Sequence, residues 1–120
     1  MSKAHYELLE NDNDILSIKA PKNRVKGPYV VVDKDTEKHW AIVALDWDGH
    51  PALAIRWFDG SRGTPISFGH PIWLVIPDKL HQAVLDELLL EDSCKKKNII
   101  CFLENEIDGD KLYENIRNNK

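Results

Sequence analysis

Six side chains between positions 39 and 70 have the types and spacing of an anion or carboxylate site: His39, Arg56, Asp59, Ser61, Arg62 and His70. Guanidinium groups grip carboxylates and phosphates with paired N–H donors, and glycine-rich turns such as Gly60-Ser61-Arg62-Gly63 offer backbone N–H groups to the same ligands. An imidazole with a carboxylate in reach is also the minimum for general-base chemistry. Asp59 with His39 or His70, assisted by Arg56, therefore makes a small hydrolase or transferase the alternative reading. Neither Ser61 nor Ser67 sits in a Gly-x-Ser-x-Gly turn, so no nucleophile is marked and no catalytic residue is assigned. The plainer alternative is that Arg56 pairs with Asp59 and the glycines only turn the chain.

Metal chemistry has less support. His39, His50, His70 and His81 lack a tight ligand spacing, so no metal and no cofactor are expected. Glu104, Glu106, Asp108, Gly109 and Asp110 echo a calcium loop, but position twelve is Asn115 rather than a bidentate glutamate, and Asp108 is better read as a helix cap. Cys94 lies beside Lys95, Lys96 and Lys97, which would lower a thiol pKa. Cys101 falls in an apolar run and is expected to be buried.

The element that must position the six is a central β-hairpin over 39–58. Asp48-Gly49 suits a type I′ turn, because both positions need positive φ. With these as the two loop residues, facing partners sum to 97. Trp40 then faces Trp57, Ile42 faces Ile55, Ala44 faces Leu53 and Trp47 faces His50. Alternation puts Trp40, Ile42, Ala44, Leu53, Ile55 and Trp57 on one apolar face, the expected core. The other face carries His39, Ala41, Val43, Leu45 and Trp47 against Phe58, Arg56, Ala54, Ala52 and His50. Its small alanines admit a further layer or a second subunit, and Trp47 near the turn is the candidate interface residue.

Around the hairpin, Ile15–Ile18 and Tyr29–Val32 read as strands. Ile72–Ile76 reads as a buried strand and Asn98–Leu103 as another. Apolar stripes predict helices at about 78–91 and 109–117. A strand–helix–strand order over 72–103 suggests a parallel crossover. The expected class is α+β in a single domain, 1–120. It has one mixed, mostly antiparallel sheet around the central hairpin, with helices on one face.

Composition limits the partners. Apolar residues are 42% and charged residues 30% of 120, with net charge −4 and pI about 5.7. A net acidic chain lacks the field for a strong sequence-independent grip on nucleic acid, so a nucleic-acid partner is disfavoured, although Lys19–Lys26 and Lys95–Lys97 leave room for a local basic patch. No run of about 18 apolar residues exists and no membrane partner is expected. The first residues lack the apolar core of a signal peptide, so the cytoplasm is the expected compartment.

The run Trp40…Ala54-Ile55-Arg56-Trp57-Phe58…Gly69-His70-Pro71-Ile72-Trp73…Ile76-Pro77 resembles small uncharacterised bacterial proteins carried on mobile gene cassettes of the integron type. That resemblance implies a small stand-alone bacterial protein and transfers no catalytic residue. The leading expectation is a non-enzymatic binding or interaction module. It would take a small anionic ligand or a protein partner, in the manner of an immunity protein, or form a homodimer.

Overall fold

Asp48 and Gly49 both take positive φ, 51° and 83°, so the tight turn forms and the hairpin closes on it. The computed structural model describes residues 4–88 and 93–118. Strands β1 (Val25–Asp35), β2 (Trp40–Trp47) and β3 (His50–Trp57) form a sheet whose fourth strand is the short β6 (Leu74–Val75), in the order β1-β2-β3-β6. Every neighbouring pair is antiparallel. Trp40 faces Trp57, Ile42 faces Ile55, Ala44 faces Leu53 and Trp47 faces His50, the register expected from the turn. A one-residue slip would have exchanged the two faces.

Both faces of that sheet are covered. On the first, Val30, Val32, Ile42, Ala44 and Leu53 pack against Leu85 of α2 (His81–Glu87), Ile99 and Phe102 of α3 (Ser93–Leu103) and Leu112 of α4 (Gly109–Asn118). On the second, Ala41, Val43, Leu45, Ala52 and Ala54 lie under Leu9, Ile15 and Trp73. The N-terminal layer consists of a 3-10 turn at His5–Glu10 and α1 (Asp12–Leu16). The α+β class stands, but the helices are not confined to one face. The alanines admit this layer, and Trp73 fastens it by donating its indole N–H to the Ile18 carbonyl at 2.8 Å.

Several elements differ from the sequence expectation. Ile15 belongs to a helix because Asn11 caps it, accepting from the Asn13 N–H at 2.9 Å, with Asp12 and Asp14 favourably placed in its first turn. The apolar run at 98–103 is the end of α3, with Ile99 and Phe102 on one helical face; an apolar run this short does not distinguish strand from helix. Leu74 and Val75 pair antiparallel with β3, Ile76 donates to the Leu53 carbonyl at 2.8 Å, and because 98–103 is helical the described residues form no parallel crossover there; Leu74 is 51% exposed on the sheet edge. Trp40 is half-buried at the margin of the helix-side core, and its facing partner Trp57 is 37% exposed. The expected helix at 78–91 divides into a 3-10 turn at Asp78–Leu80 and α2; residues 89–91 lie outside the described ones. The last helix forms where expected, capped by Asp108, which accepts from the Lys111 N–H at 2.8 Å. Cys101 is only half-buried on α3, and a hydrogen bond to Glu106 pushes its thiol pKa up. No helix among the described residues is long and apolar enough to cross a membrane.

Candidate binding site

Arg56 alternates onto the second sheet face, and that face is interior. Its side chain is wholly buried. Nη1 donates to the Ile72 carbonyl at 2.9 Å and the Pro65 carbonyl at 3.3 Å. Nη2 donates to His5 Nε2 at 3.1 Å and to the Arg62 carbonyl. The guanidinium carbon lies 5.1 Å from the centre of the Phe58 ring. No carboxylate reaches it among the described residues, and Nε has no partner. Burial lowers its pKa to about 10, which leaves it a cation at neutral pH. Arg56 is thus a structural clamp that ties the 62–72 loop and the N-terminal layer to β3, and it is not open to a ligand.

His5 completes the clamp. A guanidinium only donates, so the His5 Nε2 bonded to it must be the unprotonated acceptor. The ring stacks on Phe58 with centres 5.0 Å apart. Burial, and then the Arg56 charge, lower the His5 pKa. Nothing in the polar N-terminal sequence marks this histidine; its partner is 51 positions away.

The remaining candidates separate into two places. Asp59 pairs not with Arg56 but with His39, Nδ1 to Oδ1 at 2.7 Å. His39 occupies the β1–β2 connection with φ 62°. Tyr6 stacks on its imidazole at 5.1 Å. This dyad sits on the surface, with Asp59 largely exposed.

The second place is a small hairpin, β4 (Ile66–Ser67) and β5 (His70–Pro71). Its turn residues Phe68 and Gly69 both have positive φ, 49° and 78°, repeating the geometry of the central turn. Arg62 Nη1 donates to the Gly69 carbonyl at 3.2 Å and so braces the tip. The base is held by Thr64 pairing with Trp57 and by Ile72 bridging to Ala20. At the tip, Phe68 is 99% exposed. Ser61 and His70 are exposed on the same loop. The imidazoles and arginines expected to converge therefore do not: Arg56 lies inside, His39–Asp59 on one side, and Arg62 with His70 at the hairpin. Phe68 carries no mark of exposure in the sequence, where it is one apolar residue in a loop of glycines and prolines; the Gly69 that follows it is the one turn signal beside it.

Beside the hairpin a cleft of about 320 Å³ is lined by Ile18, Lys19, Ala20, Lys22, His70 and Pro71. Lys22 also borders an open cleft of about 550 Å³ along Arg24, Lys26, Asp46 and Asp48. Trp47 lies at that end, half-buried against the core, with the Arg24 guanidinium 6.0 Å from its ring centre. A third cleft, about 330 Å³, separates the central turn from α2 and α3 and holds His50 and His81. His81 Nε2 lies 3.4 Å from the Leu53 N and 3.1 Å from the Ile76 carbonyl, and its tautomer decides which of the two it bonds. No group of three or more metal-ligating side chains occurs among the described residues.

No protein-family model, curated protein or solved structure matches this chain.

Proposed function

We propose that the protein is a non-enzymatic binding module, a small bacterial cassette-type protein of the cytoplasm, whose contact element is the β4–β5 hairpin. The observation that carries this reading is Phe68: a fully exposed ring on a turn braced by Arg62 and rooted, through the Arg56 clamp, in the core. An apolar ring in water is unfavourable on the free protein, and large aromatic anchors dominate the energetics of contact surfaces. Arg62 at the hairpin tip, with His70 and Ser61 exposed on the same loop, supplies donors for an anionic group.

The test is to install p-benzoyl-phenylalanine at position 68 and irradiate cells. Covalent adducts should form from position 68 in excess of those from the same group at exposed Tyr113. Equal yields at both positions would overturn the reading.

One observation favours a second reading. The His39–Asp59 pair has the spacing of an oriented general base, and Tyr6 fixes the ring. If the chain is a hydrolase or transferase, Asp59→Asn abolishes turnover in a broad substrate screen while leaving the fold intact.

A further inference from the structure

The acidic net charge conceals a divided charge distribution. Residues 15–32 and 60–77 contain Lys19, Lys22, Arg24, Lys26 and Arg62 and no aspartate or glutamate. The remaining 84 positions hold 11 basic and 20 acidic residues, a net −9. The fold brings the two basic stretches together, because Ala20 bridges to Ile72 and the loop carrying Lys19 and Lys22 shares its cleft with His70 and Pro71. Lys22 joins that cleft to the next, so the cations form a continuous track. Of the two carboxylates at its far end, Asp48 is paired with Arg24 at 3.1 Å, while Asp46 accepts from the neutral Tyr29 hydroxyl at 2.6 Å and lies opposite Lys26 in the strand register. Lys19, Lys22 and Lys26 make no ion pair among the described residues. At the near end stands Phe68.

From this arrangement we infer that the hairpin and the adjoining clefts bind a single-stranded nucleic acid, its phosphates along Lys19, Lys22 and Lys26 and a base stacked on Phe68. The inference rests on the hairpin being the contact element and names what it contacts. A run of cations tracking a backbone, with an exposed aromatic ring as a platform, is the general solution for gripping a flexible anionic chain of flat bases. A single strand offers its bases to the ring directly, whereas insertion into an intact duplex would first cost the unstacking of a base step. A second copy of this chain fits poorly, since a twofold contact would set the same cations against one another.

The experiment measures fluorescence anisotropy of a labelled thymidine strand of about fifteen nucleotides, titrated with the full chain from about 20 mM salt upward. Binding should weaken steeply with salt. Lys19→Ala with Lys22→Ala should lower the log–log slope by about 1.4, the value for two phosphate contacts on a single strand. Phe68→Ala should weaken binding about tenfold and leave the slope unchanged, as loss of one stacked base predicts. Phe68 touches no core, so this variant folds. Absence of binding at low salt, equal affinity for a duplex of the same length, or an unaltered affinity for Phe68→Ala would each overturn the inference. Nuclease treatment of the position-68 adducts separates the two levels. Nuclease-sensitive adducts support a nucleic-acid ligand; adducts that survive nuclease keep the binding module and discard this ligand.

Discussion

A guanidinium sealed from water without a carboxylate is held by what else surrounds it, and at Arg56 that is three backbone carbonyls and a neutral imidazole. Such a site is specific to arginine, because lysine offers one compact ammonium where a planar fork of donors is needed. Arg56→Lys should therefore lower unfolding free energy by about 3 kcal/mol, the consequence of leaving buried acceptors unpaired, measured by urea denaturation. His5 supplies a pH dependence with a definite sign. Its folded pKa lies below the ordinary 6.5. Between the two values the unfolded chain holds the extra proton, so stability falls as pH drops below 6.5 and is unaffected above it. His5→Gln removes the titrating group. The difference in stability between the native protein and this variant should then shift against the native protein from pH 7 to pH 5. A constant difference across that range would contradict the assignment.

At the level of elements, the central hairpin was readable because two local rules converge on it. The Asp48-Gly49 turn fixes the loop length, and loop length fixes every facing pair. The helix at 109–117 was readable for a similar reason, a capping aspartate followed by an apolar stripe. The N-terminal helix and α3 were not, because short apolar runs bear no periodic signature until a partner surface selects one. The candidate site was legible as a set of residue types and illegible as a place. Arg56 alternates onto the second face as expected, while His39 falls in the turn before β2, and whether that face meets solvent depends on residues 5–18, which carry no sign of where they dock. Packing of α4 on β1 gives the prediction for this scale. A methyl on Gly109 would collide with the ring of Tyr29, whose hydroxyl is tied to Asp46. Gly109→Ala should cost about 2 kcal/mol of stability, as overpacking does, despite alanine being the better helix former. Unfolding by heat or urea, followed by circular dichroism, measures the loss.

For the molecule as a whole, the sheet is a central layer with unlike coverings. Three helices close one face, while the other depends on a short N-terminal layer and Trp73. Removing residues 1–18 would uncover the face of Ala41, Val43, Ala52 and Ala54 and take His5 from Arg56. The truncated chain should bind a hydrophobic dye and lose a cooperative thermal transition. A sharp transition with no dye binding would show that the layer is dispensable. The same scale governs charge: a pI near 5.7 describes an average, and the fold, not the composition, decides that lysines from 19–26 share a surface with the hairpin.

The Arg56 clamp also imposes an order on synthesis. Its partners come from position 5 on one side and from 62, 65 and 72 on the other. A ribosome that has delivered the first fifty residues has made the N-terminal layer and the strands beneath its centre, but neither the cation that fastens them nor the indole of Trp73 that holds Ile18. Until residues 62–73 have left the exit tunnel, the polar tie of the N-terminal layer to the sheet is Lys34, which donates to the Leu9 carbonyl at 2.6 Å and to Asp12 at 2.9 Å. Residues 5–18 are therefore made before most of the bonds that secure them.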